Sequence, residues 1–336
     1  MKIDAALWAD DLSTAGSTAQ AAEEVGFDAL WTSDIAQNPL FPLVLAAEHT
    51  ERIELGTAIL VAFARSPMDV AYQAWDLAKL SRGRFLLGLG TQVRAHIERR
   101  FGMAWEQPAA ERLRDYILAL RAIWHSWQNR ERLNYRGDFY KLTLMTPFFD
   151  PGPIDFPQIP IYTAGVNERM CRLAGEVSDG FHAHPFHTRR YLEEVVIPAI
   201  EDGARAAGRQ RADIALSSAV FVATGRNQAE MDAAVAAVRQ QVSFYASTPD
   251  YAAVMDLHGW SAAREELSHL ASRKQWADMP ALVTDEMVDA FAVVCPPQEL
   301  EPRLRAKYEG VLDRITLYMP FDPKQRELWR LLMARK

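Results

Sequence analysis

Short apolar runs alternate with longer amphipathic stretches from the first residues onward. Residues 2–8 (KIDAALW) pattern as a strand and 13–25 (STAGSTAQAAEEV) as a helix, with Gly26 where a helix C-cap glycine belongs. Residues 27–32 (FDALWT) give a second strand and 39–49 (PLFPLVLAAEH) a second helix, with Pro39 near its first turn. A third strand over 53–60 (IELGTAIL), a helix over 67–80 and a fourth strand over 84–89 (RFLLGL) keep the rhythm. Strand and helix at this spacing predict right-handed βαβ units and a parallel sheet.

The rhythm breaks at about Trp127. Residues 128–158 hold Asn, Arg, Gly, Pro and aromatic side chains without a helical period, which reads as an inserted β-hairpin and loop. Strands over 159–164, 179–183 and 214–223 follow, with helices running to about Ala174 and over 189–207. Residues 227–310 read as mostly helical, interrupted at 247–260 within a second insertion near 245–285. The last strand covers 313–319 (DRITLYM), before a C-terminal helix. Eight strands is the number that closes an α/β (β/α)8 TIM barrel, and a doubly wound open sheet is the competitor. No repeat or linker divides residues 1–336, and barrels of this kind reach such lengths as single domains.

Composition narrows the function. A net charge of −7 argues against a nucleic-acid binder, which needs a basic face to displace phosphate counterions. Cys171 and Cys295 are the only cysteines, too few for a disulfide framework or a cysteine zinc site. The N-terminal MKIDAALWADDL turns acidic too early for a signal peptide, and no apolar run reaches the length of a membrane span. The expectation is a cytoplasmic protein with no membrane partner.

In a barrel of this class the active site lies where the strands end. Ala9, Asp10 and Asp11 follow the first strand, and Ser33, Asp34, Ile35 and Gln37 the second. Asp34 is the carboxylate singled out there: partly buried, it could hold a proton or hydrogen-bond a cofactor ring, or it could simply cap a turn. The run GLGTQ (Gly88 to Gln92) lacks the dinucleotide spacing and follows the wrong strand, so close packing explains its glycines as well as a ligand does. Ala164-Gly165-Val166-Asn167 leaves the fifth strand and starts a helix at once. Free N–H groups there would suit a phosphate, although a tight strand-to-helix turn explains the glycine equally well. His182, His184 and His187 invite a metal reading, with His182 and His184 on one strand face, but no Glu or Asp is placed as a third ligand in a recognised pattern, so no metal is expected. Arg99 and Arg100 read as solvated charges on a helix face. No nucleophile elbow, Walker loop or Cys–His dyad supports acyl or phosphoryl transfer.

Four segments together resemble the luciferase-like monooxygenase superfamily, and within it the branch dependent on the deazaflavin coenzyme F420. They are AEEVGFDALWTSD, ERIELGTAILVAFARSPMDVAYQAWDLAKLSRGRFLLGLGTQ, PIYTAGVNERMCRLAGEVSDGF and GVLDRITLY, and they bracket most of the chain. The resemblance implies a barrel with inserted segments, a cofactor at its C-terminal face and a homodimer. It makes Asp34 the acid that contacts the deazaflavin near the reaction centre. Ala58-Ile59 would be a bulge with a non-prolyl cis peptide behind the ring, Gly90, Thr91 and Gln92 the loop beside the ring, and Ala164, Gly165, Val166 and Asn167 the phosphate turn. Ile35 replaces the histidine several deazaflavin enzymes carry, and Gln92 stands where relatives often have a glycine followed by an acid. The proton donor is therefore unassigned. IERRF (Ile97 to Phe101) marks a subgroup.

The implied activity is hydride transfer between F420 and a small organic substrate. The alternative is an FMN-dependent monooxygenase that takes reduced flavin from a partner reductase and uses oxygen. A metal-dependent barrel hydrolase and a non-catalytic cofactor-binding barrel are the readings outside this class. Trp8, Trp31, Phe63, Phe181 and Phe221 are available to line the pocket, each of them equally at home in a barrel core.

Overall fold

A computed structural model describes residues 1–8 and 11–333. Eight parallel strands pair in chain order: β1 (Lys2–Ala6), β2 (Ala29–Thr32), β3 (Glu54–Thr57), β4 (Phe85–Gly90), β5 (Ile161–Gly165), β6 (Gly180–Ala183), β7 (Ala215–Ala223) and β8 (Arg314–Pro320). Strand β8 pairs back onto β1 through Lys2↔Arg314 and Ile3↔Ile315, which closes the barrel and excludes the open sheet.

Alternation along each strand sorts side chains to two sides. Ile3, Leu30, Leu55, Leu87, Ile161 and Ile315 join the core shared with the surrounding helices, while Trp31, Leu86 and Tyr162 form a separate cluster. Near the start of the strands a polar plug is buried. Arg314 sends Nε and Nη2 to the two Asp4 oxygens (2.8 and 3.0 Å) and Nη1 to Glu54 (2.6 Å), and Trp31 Nε1 donates to Asp4 (2.8 Å). Burial pulls the Arg314 pKa down, but the Asp4 and Glu54 carboxylates more than reverse it and hold the guanidinium charged.

Several elements follow from local chemistry. Gly26 ends the helix Ala15–Val25 in the left-handed region (φ 102°), and its N–H reaches the carbonyls of Ala22 and Glu23. Ser66 caps the helix Pro67–Leu80 by accepting from Asp69 N–H (3.1 Å), with Pro67 as its first residue. The hairpin expected in 128–158 pairs Tyr135–Arg136 with Lys141–Leu142.

The structure corrects other expectations. The first strand stops at Ala6 and the third at Thr57. The stretch expected as helix over 189–207 contains a π-helical segment, Leu192–Val196, because Pro198 has no N–H for the regular ladder. Within 227–310 the short strand Ala292–Val294 adds to the outer end of β7, covering an edge that this long strand would otherwise leave unpaired. The 21-residue helix Ala109–Asn129 has no counterpart in the sequence reading. Among the described residues no helix is long and apolar enough to cross a membrane.

Candidate active site

The strand ends open onto a cavity of about 310 Å³. Trp31 and His182 line it from β2 and β6, Ala58 and Ile59 form the wall that follows β3, and Thr316 and Tyr318 the wall from β8. Trp8 and Ile35, both well exposed, stand where this cavity adjoins a second one of about 260 Å³. Apolar side chains left exposed in a concave mouth are what a bound ligand would cover.

The β3 wall is built by the sequence around it. The Ala58–Ile59 peptide is cis, and the chain rejoins β4 at Leu60↔Leu89. Ser33 Oγ donates to the Ala58 carbonyl (2.8 Å), and Asp34 N–H donates to that of Ile59 (3.1 Å). Below the bulge, Thr57 Oγ1 donates to Gly88 O (2.7 Å) and accepts from Gly88 N–H (2.9 Å), a side chain standing in for a strand pairing. A Cβ on Gly88 would fall 1.8 Å from Thr57 O, so glycine is required there. Gly90 leaves room for the Ile59 side chain. Both glycines of GLGTQ thus serve close packing under the bulge.

Asp34 does not line the cavity. It is buried behind the bulge, where Oδ2 accepts from Val61 N–H (3.1 Å) and from Arg65 Nη1 (2.6 Å). The geometry makes it an anchor for the chain that follows the cis peptide. Arg65, its partner, was not foreseen in that role, and its only sequence signal is its place four residues after Val61. Thr91 and Gln92 spend their side chains inside their own turn: Thr91 Oγ1 donates to Gln92 O (3.0 Å), and Gln92 Oε1 accepts from Val93 N–H (2.9 Å). Ala9 and Asp10 lie outside the described residues.

At the end of β5, Ala164 faces the main cavity, while Gly165 and Val166 border a small cavity beside it. Asn167 caps the helix Glu168–Val177 by accepting from Met170 N–H (3.0 Å). The first N–H groups of that helix have no partner within it and converge at this turn. The structure brings Ala58, Ile59 and Ala164 to the main cavity and Gly165 and Val166 to its neighbour, and it leaves Asp34, Thr91 and Gln92 outside both.

The histidines are neutral. Burial, then the charge of Arg314, pushes the His182 pKa down to about 3, and burial, then His187, does the same to His184. His184 Nδ1 accepts from Phe186 N–H (3.1 Å), which places its proton on Nε2 facing Tyr251 Oη (3.1 Å). His187 is spent on His184 O and Ser218 through one nitrogen. Among the described residues no cluster of three or more His, Cys, Asp or Glu could hold a metal ion.

Of the aromatic residues proposed from sequence, Trp8 and Trp31 line the main cavity and Phe181 the small one, Phe221 packs on Tyr318, and Phe63 lies in the core under Arg112. Three tyrosines went unforeseen: Tyr318, Tyr245, whose hydroxyl lies 2.7 Å from that of Tyr318, and Tyr251. Tyr318 had a signal in the inward alternation Arg314, Thr316, Tyr318. Tyr245 and Tyr251 sit in the second insertion, where no period marks them.

A closed parallel barrel with a ligand-sized cleft at its strand ends and a helix N-terminus beside it defines a small-molecule enzyme scaffold of the (β/α)8 class. Residues 3–314 match the luciferase-like monooxygenase family model, and the chain belongs to that family. It is 46% identical over 315 residues to an uncharacterized protein of Mycobacterium tuberculosis (strain ATCC 25618 / H37Rv), covering 94% of this chain and 92% of that one. It is 25% identical to an F420-dependent glucose-6-phosphate dehydrogenase of Amycolatopsis mediterranei (strain U-32), covering 91% and 88%. Among solved structures it superposes on the coenzyme F420-dependent tetrahydromethanopterin reductase from Methanopyrus kandleri with a TM-score of 0.79, at 22% identity and with 99% and 97% of the two chains covered. The family is one of oxidoreductases.

Proposed function

We propose that this chain is an F420-dependent oxidoreductase that moves hydride between the deazaflavin and a small organic substrate. The observation that carries the reading is the ligand-sized cleft at the strand ends, walled by Ala58, Ile59 and Ala164, with the Gly165–Asn167 turn and its helix N-terminus beside it. The small Ala58 side chain and the Ile59 side chain offer a flat apolar backing for a ring. The turn offers N–H donors and a helix N-terminus for the cofactor's phosphoryl group. When bound, the deazaflavin supplies hydride chemistry at C5.

The chain's own residues do the rest. Ser33, Asp34 and Arg65 fix the bulge, and the apolar walls exclude water from the ring face. Neutral His182 and His184 put no competing charge beside it. The FMN-dependent monooxygenase remains the alternative because the same cleft would back a flavin ring and the same turn a flavin phosphate.

Asn167→Asp tests the assignment. Aspartate caps a helix as well as asparagine does, so stability is retained. The added negative charge at the phosphoryl position should weaken F420 binding at least tenfold. Unchanged affinity, measured by quenching of deazaflavin fluorescence, would show that this turn does not hold the phosphoryl group.

A further inference from the structure

We propose that the cavity takes an uncharged, largely apolar substrate bearing one carbonyl or hydroxyl oxygen, and that the Tyr318 hydroxyl, set by Tyr245, holds that oxygen. This rests on the deazaflavin reading: with the ring against the Ala58–Ile59 wall, the substrate takes the β8 side of the same cavity, where Tyr318 stands.

Most of the wall is indole, alkyl and methyl surface from Trp8, Trp31, Ile35, Ile59, Leu317 and Met319, and its polar side chains are Ser33, His182, His184, Thr316 and Tyr318. No Lys, Arg, Asp or Glu is among the described residues that line it. A carboxylate or phosphate on the substrate would lose its hydration there and gain no counter-charge, which disfavours its binding. An uncharged molecule meets no such penalty.

Ser33 Oγ is spent on Ala58 O and His184 on Phe186 N–H and Tyr251 Oη, whereas Tyr318 stands on the β8 wall with a second hydroxyl behind it. Tyr318 Oη and Tyr245 Oη are 2.7 Å apart, and a hydroxyl pair needs only one of its two hydrogens for the mutual bond. Tyr318 borders the cavity and Tyr245 does not, so with Tyr245 donating inward the Tyr318 hydrogen is left for a third oxygen. Edge contact with Phe221 (4.8 Å between centroids) fixes the Tyr318 ring, and the rings of His184 (4.8 Å) and Tyr251 (5.5 Å) fix that of Tyr245. Burial pushes the Tyr318 pKa up, so its hydroxyl keeps its proton through the physiological range. Tyr318 is thus a substrate-contacting residue and Tyr245 a positioning residue.

Three probes on one phenyl frame test this by calorimetry on the full chain, alone and loaded with F420: acetophenone, ethylbenzene and 4-acetylbenzoate, the last adding a para-carboxylate. Acetophenone should bind about three- to tenfold tighter than ethylbenzene, which lacks the oxygen. 4-Acetylbenzoate should bind at least tenfold weaker than acetophenone. In Tyr318→Phe the preference for acetophenone over ethylbenzene should fall to near unity with ethylbenzene affinity unchanged, and Tyr245→Phe should reduce that preference in part. Each variant removes only a hydroxyl, and unchanged ethylbenzene binding reports an intact cavity. Equal or tighter binding of 4-acetylbenzoate, or no binding of any probe, would overturn the substrate class. An oxygen preference that survives Tyr318→Phe would overturn the role of the hydroxyl. Failure of F420 to bind is read separately in the same titrations, and it overturns the cofactor reading while leaving the selectivity of the cavity measured.

Discussion

Asp34 and Arg65 are both largely buried, so neither can lose its partner without leaving a charge in a poorly solvated place. Asp34→Ala also removes the acceptor for Val61 N–H. We expect Asp34→Ala to cost about 3 kcal/mol in chemical denaturation and Asp34→Ala/Arg65→Met to recover a large part of it. A loss below about 1 kcal/mol would show that the pair is not what fixes the bulge. The histidines give a second prediction. His182, His184 and His187 have folded pKa values of about 3, 3 and 4, all driven down first by burial. Above pH 6.5 they are neutral in both states and stability is unaffected. Between pH 6.5 and about 4 the unfolded chain takes up protons that the folded chain refuses, so stability falls as pH falls. His187→Phe should flatten that slope by about one proton's share, about 1.4 kcal/mol per pH unit. An unaltered slope in urea unfolding between pH 6.5 and 4.5 would contradict its burial as a neutral group. At this scale the sequence pointed to Asp34 but not to its use. A carboxylate after a strand looks the same whether it faces a cofactor or an arginine, and what decides is Arg65, brought to it only by the fold.

The element that positions the site is the broken third strand. Its ladder ends at Thr57, whose side chain takes over the pairing with Gly88, and the wall is formed by the two residues that follow. Gly88→Ala would press a methyl into the backbone of the neighbouring strand, which cannot swing away, whereas Gly90→Ala would meet only the Ile59 side chain. Gly88→Ala should therefore destabilise by about 3 kcal/mol and weaken cofactor binding with it, while Gly90→Ala should cost about 1 kcal/mol. Equal losses, measured by thermal unfolding, would mean that the close approach of Thr57 to Gly88 is not what shapes the bulge. The apolar run 53–60 announced a strand clearly, since β-branched and aliphatic residues in a short run have few other uses. Where the run would break was legible only through resemblance, because a bulge leaves no mark in hydrophobic periodicity. The helix Ala109–Asn129 and the strand Ala292–Val294 were missed for a related reason: the first follows an irregular stretch, and the second exists only because β7 overshoots the barrel.

Over the whole molecule, eight strands at βαβ spacing pointed to a barrel with an open sheet as competitor, and β8 pairing onto β1 through Lys2↔Arg314 decides for closure. Closure is what brings Ile59, Ala164, His182 and Tyr318, far apart in the chain, to one cavity. The second insertion then adds Tyr245 and Tyr251 from outside the barrel, and no local pattern could have tied those residues to the site. The central claim is that this cavity and its neighbouring turn hold a deazaflavin. The most direct test is to titrate the purified chain in parallel with F420 and with FMN, following fluorescence quenching and heat. Our account predicts saturable F420 binding at least tenfold tighter than that of FMN. Tighter FMN binding would contradict it and move the chain to the oxygen-using members of its family, and binding of neither would remove the proposed activity altogether.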